Sequence, residues 1–147
     1  GLMRPESRGK VTLKSGNPNH HPSISYHFFE AARDRQVMIN GVRRTREMAA
    51  QPAFDGLRSH ELAPGKDVQS DDEIMSWLRA TASTEYHPTS TCRMGTGDNS
   101  VTNAEGLVHE TEGLRVVDAS IMPHNVTANL NAPVIMMAEK LADVILR

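Results

Sequence analysis

The segment from Glu30 to Ala50 contains no proline, and apolar or small side chains recur along it at the spacing of one helix face. Arg43, Arg46 and Glu47 fall on the opposite face. The positions on the first face are Met38, Val42, Thr45 and Ala49. A long amphipathic helix is therefore predicted, and any fold of this chain has to bury one side of it.

A second helix is predicted from the chemistry of its start. The Ser70 hydroxyl can accept a hydrogen bond from the backbone N–H of Glu73, while the Glu73 carboxylate reaches back to the backbone of Ser70. Asp71 and Asp72 place negative charge at the positive end of the helix dipole. The apolar face that we expect to be buried comprises Ile74, Trp77 and Leu78.

Three segments are predicted as short strands. Val11 and Leu13 alternate with polar neighbours, which is typical of a half-buried strand. The segment from Ser23 to Phe29 alternates in the same way, and Leu114 to Pro123 is an apolar run that a proline ends. The apolar positions of the second segment are Ile24, Tyr26 and Phe28.

The last third of the chain is predicted as a loop followed, after the third strand, by a helix. Polar residues and glycines dominate between Gly95 and Gly113, which indicates a loop with one short strand. Asn131-Ala132-Pro133 is typical of a helix start, and we expect the first turns of that helix to be largely buried. Its apolar positions are Val134, Met137, Ala138, Leu141 and Ile145.

Composition limits the classes of protein that fit. Hydrophobic residues make up 38% and aromatic residues 4% of the 147 residues, which indicates a surface that a cofactor or further chain completes. The net charge is −2, and positive and negative residues are interspersed without a basic stripe. A nucleic-acid partner is therefore not expected. Cys92 is the single cysteine, which favours a reducing compartment; we expect a cytoplasmic location, with membrane association left open.

Several catalytic motifs are absent from the sequence. It contains no GxSxG, no HExxH and no P-loop. A hydrolase is therefore the least supported interpretation, because the sequence has no nucleophile motif. The segment from Gly95 to Ser100 superficially resembles a dinucleotide-binding glycine motif. No alternating strand precedes it and no helical pattern follows it, so we interpret it as a turn. His20 and His21 lie in a Pro-Asn loop without a carboxylate at ligand spacing, so no metal site is predicted.

Three motifs resemble the C-terminal region of the glucose-methanol-choline (GMC) oxidoreductases, nearest to their choline dehydrogenase-like members. In chain order they are Tyr86-His87-Pro88 with Thr91 to Gly95, then Leu114 to Pro123, then Asn129 to Pro133 with Glu139-Lys140. The resemblance covers nearly all of the chain. It implies that residues 1–147 are the family's C-terminal substrate-binding and catalytic domain, an α+β fold in which strands of a sheet are backed by helices.

The same resemblance implies a longer protein. The family's N-terminal FAD-binding domain, with its dinucleotide-binding glycines, has no counterpart in these residues, so we expect Gly1 to be internal to a full-length chain. The expected partners are that domain and a small alcohol substrate, and an oligomer is left open. The isolated segment is expected to be inactive.

The activity that the resemblance implies is oxidation of a primary alcohol, choline or a relative, to the aldehyde. FAD accepts a hydride at its N5 atom, and His87 matches the position of the family's base. An imidazole suits that role because it titrates near neutral pH. The family has a second catalytic position, which is histidine in some members and asparagine in others. It falls on Asn129, whose amide can hydrogen-bond the substrate oxygen.

Four residues are implied in holding the cofactor. Asp118 and Ala119 match the segment that the family places against the ribityl and diphosphate groups of FAD. Asn131 and Pro133 begin the last helix, whose dipole favours negative charge on the reduced flavin.

Structural roles are open alternatives for these and neighbouring residues. Asn131 is then only a helix cap, and Asp118 only a hydrogen bonder at a strand end. Cys92 and the pair Met136-Met137 are interpreted as core packing. For the whole chain, the alternative is a stand-alone, non-catalytic binding or interaction module with the same fold.

Overall fold

The computed structural model describes all 147 residues and divides the chain into two compact units. Unit 1 comprises Gly1–Gly9 and Ile24–Ser83, and unit 2 comprises Lys10–Ser23 and Thr84–Arg147. The elements are β1 (Lys10–Thr12), β2 (Ser23–Ser25), α1 (Ala32–Ala49), α2 (Asp71–Thr81) and α3 (Asn131–Ile145), with 3-10 turns at Pro52–Phe54 and Ala119–Ile121. The two strands form a small sheet, and together with the helices this confirms the α+β class.

The core of unit 1 lies where α1 packs against α2. The predicted helix over residues 30–50 is confirmed as α1, and Met38 and Val42 pack against the core from its predicted face. Ile39, only 4% exposed, also lies in this core, although the spacing argument did not select it. The buried side chains of the cluster are Phe29, Ile39, Ile74, Met75 and Leu78.

The start of α2 has the predicted reciprocal capping. The Glu73 N–H donates to Ser70 Oγ at 3.3 Å, and the Ser70 N–H donates to Glu73 Oε2 at 2.9 Å. The hydrogen bonds from the backbones of Ser70 and Gln69 lower the pKa of Glu73 below its ordinary value. The capping box therefore fixes where α2 begins.

Asp34 is a buried carboxylate in the first turn of α1 that the sequence pattern did not single out. Its oxygens accept from the Glu6 N–H at 2.9 and 3.1 Å and from the Ser7 N–H at 2.7 Å. Burial on its own raises the pKa of Asp34, but the hydrogen bonds from Glu6 and Ser7 outweigh it and hold the pKa below its ordinary value. Asp34 thus fastens the first residues of the chain to α1.

Replacing Asp34 by alanine is expected to lower the free energy of unfolding by about 1 to 3 kcal/mol, because two backbone N–H groups lose their acceptor. The lowered pKa means that the native state binds fewer protons than the unfolded state. The stabilisation is therefore present above the ordinary aspartate pKa and is lost as the pH falls through the lowered value. Urea titrations at neutral and acid pH measure it, with exposed Asp67→Ala as the control. A loss that stays equally large at acid pH would contradict this assignment.

The strands β1 and β2 are shorter and more exposed than the alternation predicts. Val11 is 48% exposed, so the predicted half-buried strand is wrong in its burial. β2 ends at Ser25, and the backbone turns at His27 and Phe29, which have φ angles of 51° and 65°. These left-handed conformations cannot continue an extended strand.

The predicted strand from Leu114 to Pro123 is wrong. Arg115 makes an isolated bridge with Leu107, and residues 119–121 form a 3-10 turn instead. The cause is local, because the Asp118 carboxylate accepts from the Ser120 N–H at 2.7 Å and curls the backbone. The region from Gly95 to Gly113 is a loop as predicted, but isolated bridges replace its short strand.

The last helix is confirmed as α3, but its predicted burial is wrong. Ile135 and Met136 are 54% and 58% exposed in its first turns, so Met136 is not core packing, whereas Leu141 is buried. The capping position is Leu130, and no side chain caps the helix, so the interpretation of Asn131 as a helix cap is also wrong. None of the helices combines the length and apolar character that a membrane span requires.

Candidate functional site

His87 lies on an exposed loop of unit 2, and one of its ring nitrogens is already engaged. Its Nδ1 atom is 2.6 Å from the backbone oxygen of Glu85. A carbonyl oxygen can only accept, so Nδ1 must carry a proton and donate it. In the neutral ring the other nitrogen, Nε2, is then an unprotonated acceptor. The geometry leaves His87 with a basic nitrogen at Nε2.

The loop around His87 is held by a local turn. Tyr86 has a φ angle of 59° and Ser90 a φ angle of 72°, both in the left-handed region. The Tyr86 N–H donates to Thr84 Oγ1 at 3.0 Å, and Pro88 restricts the backbone of His87. His87 is therefore presented by a constrained turn and not by a helix or strand.

Backbone hydrogen bonds join the His87 motif to the segment that contains Asp118. The Cys92 N–H donates to the Ser120 oxygen at 3.0 Å, and the Met94 N–H donates to the Ile121 oxygen at 2.7 Å. The first two motifs of the sequence are therefore neighbours in the fold.

The segment just before the third motif is tied to the first motif through a side chain. The Asn125 amide donates to the His87 backbone oxygen at 3.4 Å, four residues before Asn129. Asn129 is exposed, and Leu130, which follows it, is buried. The structure thus brings the segment that leads to Asn129 up to the His87 loop.

Asp118 and Ala119 form a tight turn next to the His87 motif. Asp118 is exposed and uses Oδ1 to accept from the Ser120 N–H, while half-buried Ala119 begins the 3-10 turn. The alternative role for Asp118, a local hydrogen bond, is therefore present, although at a turn and not at a strand end.

The start of α3 carries free backbone donors. The Val134 N–H bonds to the Leu130 oxygen at 2.9 Å, but the N–H groups of Asn131 and Ala132 precede the first intrahelical bond. Pro133 has no N–H, and no side chain caps this end. Asn131 is exposed and Pro133 is half-buried. The positive end of the helix dipole is thus open to an anionic or carbonyl group.

Other residues that shape this region were missed from the sequence. Gly106 is buried at a φ angle of 76°, and its N–H bonds to the Asn103 oxygen at 3.1 Å. Thr102 is fully buried and donates to the Cys92 oxygen at 3.2 Å. Asn103 followed three residues later by glycine is a turn signal that can be read from the sequence. Thr102 and Asn125 carry no such signal.

A serine and a histidine also lie close together, at Ser100 and His109. His109 Nε2 is 3.3 Å from Ser100 Oγ and 3.0 Å from the Gly95 oxygen. The Gly95 carbonyl can only accept, so Nε2 carries a proton and cannot take one from Ser100. The pair therefore gives no support to a hydrolase.

Two further features bear on where a site can be. No group of three or more histidine, cysteine, aspartate or glutamate side chains is arranged to hold a metal ion. A largely apolar groove in unit 1 runs along α1 and is lined by Val42, Thr45 and Trp77 among others. It contains none of the predicted site residues.

The fold and this arrangement of motifs define the class of protein. The family model described as GMC oxidoreductase matches residues 5–138, which is most of the chain. The chain belongs to the GMC oxidoreductase family, and the resemblance inferred from its three motifs is confirmed.

Individual relatives agree with this assignment. The oxygen-dependent choline dehydrogenase of Chromohalobacter salexigens is 52% identical over 143 residues, which cover 97% of this chain and 26% of that protein. The chain spans about a quarter of the length of the curated relatives it matches.

Solved structures show the same fold. An FAD-dependent oxidoreductase from Chaetomium thermophilum matches with a TM-score of 0.90 and 34% identity, over 97% of this chain and 25% of that one. Pyridoxine 4-oxidase from Mesorbium loti matches with a TM-score of 0.89 and 30% identity, over 96% of this chain and 28% of that one.

Proposed function

We propose that residues 1–147 are the C-terminal domain of an FAD-dependent oxidoreductase that converts a primary alcohol, choline or a close relative, to the aldehyde. His87 is the base in this proposal. The observation that carries it is the hydrogen bond from His87 Nδ1 to the Glu85 oxygen, which leaves Nε2 able to accept a proton. The choline-like substrate is proposed from the choline dehydrogenases that resemble the chain.

The residues present fit a flavin cofactor. The uncapped start of α3 offers N–H groups and a positive dipole end to the polar pyrimidine side of a flavin, with Asn131 and Pro133 at that position. The tight turn at Asp118 and Ala119 is assigned to the ribityl and diphosphate portion, as the family resemblance implies. When bound, FAD supplies the acceptor for the hydride that leaves the alcohol carbon.

The chain's own residues handle the substrate oxygen. As the carbon loses its hydride, the hydroxyl proton passes to His87 Nε2, and the oxygen becomes the carbonyl of the aldehyde. The Asn129 amide donates a hydrogen bond to that oxygen while negative charge develops on it. Asn129 takes no proton itself, so the two residues have separate roles.

Anaerobic addition of choline is the test of this function. In an enzyme that joins this chain to an FAD-binding domain, choline is expected to bleach the oxidised flavin absorbance. A tertiary alcohol, which has no hydrogen on the alcohol carbon, is the control and should leave the flavin oxidised. The 147 residues alone, mixed with FAD, are expected to bind it weakly or not at all, because the dinucleotide-binding glycines have no counterpart in them.

Two results would count against the proposal. If FAD is bound but no primary alcohol bleaches it, the chain is the non-catalytic module of the alternative interpretation. If the 147 residues alone bind FAD tightly in a fluorescence titration, the role given to a separate FAD-binding domain is wrong.

A further inference from the structure

Thr84 acts on the same peptide group that engages the His87 ring. Its Oγ1 atom accepts from the Tyr86 N–H at 3.0 Å, and the Glu85 oxygen accepts from His87 Nδ1 at 2.6 Å. The Glu85 carbonyl and the Tyr86 N–H belong to one planar peptide unit. The Thr84 hydroxyl therefore bonds to the N–H end of this rigid peptide group, and the His87 imidazole bonds to its carbonyl end.

This peptide group adjoins a strained backbone conformation and needs a hydrogen bond from a neighbouring residue to keep its orientation. Tyr86 has a φ angle of 59°, a conformation that costs a residue with a side chain about 1 to 2 kcal/mol. Tyr86 itself does not anchor the turn by burial, because its side chain is 85% exposed. Thr84 is half-buried, so its side chain is held in place more firmly than the exposed side chain of Tyr86. Without the bond from Tyr86 to Thr84, we expect the peptide to rotate, which would relieve the strain and withdraw the Glu85 carbonyl from His87.

We propose that Thr84 is a positioning residue that sets the tautomer of His87. By holding the Glu85 carbonyl against Nδ1, it keeps the proton on Nδ1 and the lone pair on Nε2. Its part in alcohol oxidation rests on the function proposed above, but the tautomer is a property of this chain and is measurable without flavin. Thr84 makes no contact with substrate in this proposal and acts only through the peptide.

Nitrogen NMR of the histidine rings tests the proposal in the 147-residue chain at a pH where the imidazole is neutral. The His87 signals are assigned by their absence in His87→Ala. We expect wild type to show the proton on Nδ1. Thr84→Val keeps the shape of the side chain but removes the acceptor, and should give a mixture of the two tautomers. Thr84→Ser keeps the hydroxyl and should restore the wild-type pattern.

Backbone amide spectra outside residues 83–90 show whether each variant is folded, and Thr84→Ala is a second variant without the hydroxyl. A proton on Nε2 in wild type would overturn the proposal, as would a wild-type tautomer in folded Thr84→Val or Thr84→Ala. If both variants fail to fold, a proton on Nε2 in wild type still overturns the proposal.

In the flavin-loaded enzyme, Thr84→Val should slow flavin reduction roughly 10-fold to 100-fold with FAD still bound, and Thr84→Ser should recover most of the rate. The two proposals fail in different ways. A fixed Nδ1–H tautomer that Thr84→Val disturbs supports the positioning role even if His87→Ala leaves flavin reduction unchanged, a result that would overturn only the proposed function.

Discussion

Replacing His87 by alanine in the flavin-loaded enzyme is expected to slow flavin reduction by roughly 10² to 10⁴, or about 3 to 5 kcal/mol of activation free energy. In the proposed function the variant loses the Nε2 atom that accepts the hydroxyl proton, whereas the turn at Asp118 and the start of α3 are untouched. FAD should therefore remain bound. Stopped-flow absorbance of the flavin under anaerobic conditions measures the rate.

The pH dependence of the same reaction is a sharper measurement. A neutral imidazole acting as base predicts that the wild-type rate falls as the pH drops through the range in which His87 becomes protonated. That acid limb should be missing from His87→Ala. A variant that reduces flavin at the wild-type rate with an unchanged acid limb would reduce His87 to a structural loop residue.

Two variants serve as comparisons for His87. His60→Ala removes an exposed histidine from unit 1 whose only side-chain hydrogen bond is to Ser59, and it should leave the rate and the acid limb unchanged. Asn129→Ala should slow the reaction less than His87→Ala and keep the acid limb, because in the proposed function Asn129 donates a hydrogen bond but accepts no proton.

Replacing Gly106 by alanine is expected to lower the free energy of unfolding by about 2 to 5 kcal/mol. Gly106 has a φ angle of 76°, and a Cβ atom built on it lies 2.7 Å from the backbone oxygen of Val116. Val116 cannot move away freely, because its own N–H donates to the Gly106 oxygen at 2.9 Å. The expected loss combines backbone strain at residue 106 with the clash between the added Cβ atom and the Val116 backbone oxygen.

Gly113 provides the matched control for this clash. Its φ angle is 69°, but a Cβ atom there meets nothing within 4 Å, so Gly113→Ala should cost only the strain of about 1 to 2 kcal/mol. Urea unfolding followed by circular dichroism measures both variants. Equal losses in the two would show that backbone strain alone, and not contact with Val116, makes Gly106 necessary.

The helices could be predicted from the sequence because each carries a periodic or capping signal. Ser70 and Glu73 define the start of α2 through bonds between neighbours in the chain, and proline-free spacing defines α1. Which side chains are buried was less predictable than where the helices lie. Asp34 is buried by bonds to residues 27 and 28 positions earlier, which no local pattern encodes. Residues 114–123 look like a strand by composition, but one side-chain bond from Asp118 to the Ser120 N–H redirects the backbone.

The members of the candidate site are proposed from the family resemblance, and their geometry could not be predicted from the sequence. Resemblance to the family assigned roles to His87 and Asn129 as single residues. That the first motif bonds to the second through Cys92 and Ser120, and to the segment before Asn129 through Asn125, depends on long-range contacts. The hydrogen bond from His87 Nδ1 to the Glu85 oxygen occurs beside a φ angle at Tyr86 that side-chain identity does not predict, because tyrosine rarely adopts it.

The division of the chain also limits how this protein can be recombined in evolution or in the laboratory. Residues 10–23 belong to unit 2 but are inserted between two parts of unit 1, so the backbone passes from one unit to the other near residues 9, 23 and 83. A single crossover between homologous genes therefore cannot exchange one unit whole without dividing the other. Swapping unit 1 with a relative requires three matched junctions, and the two units are expected to be inherited together as one block.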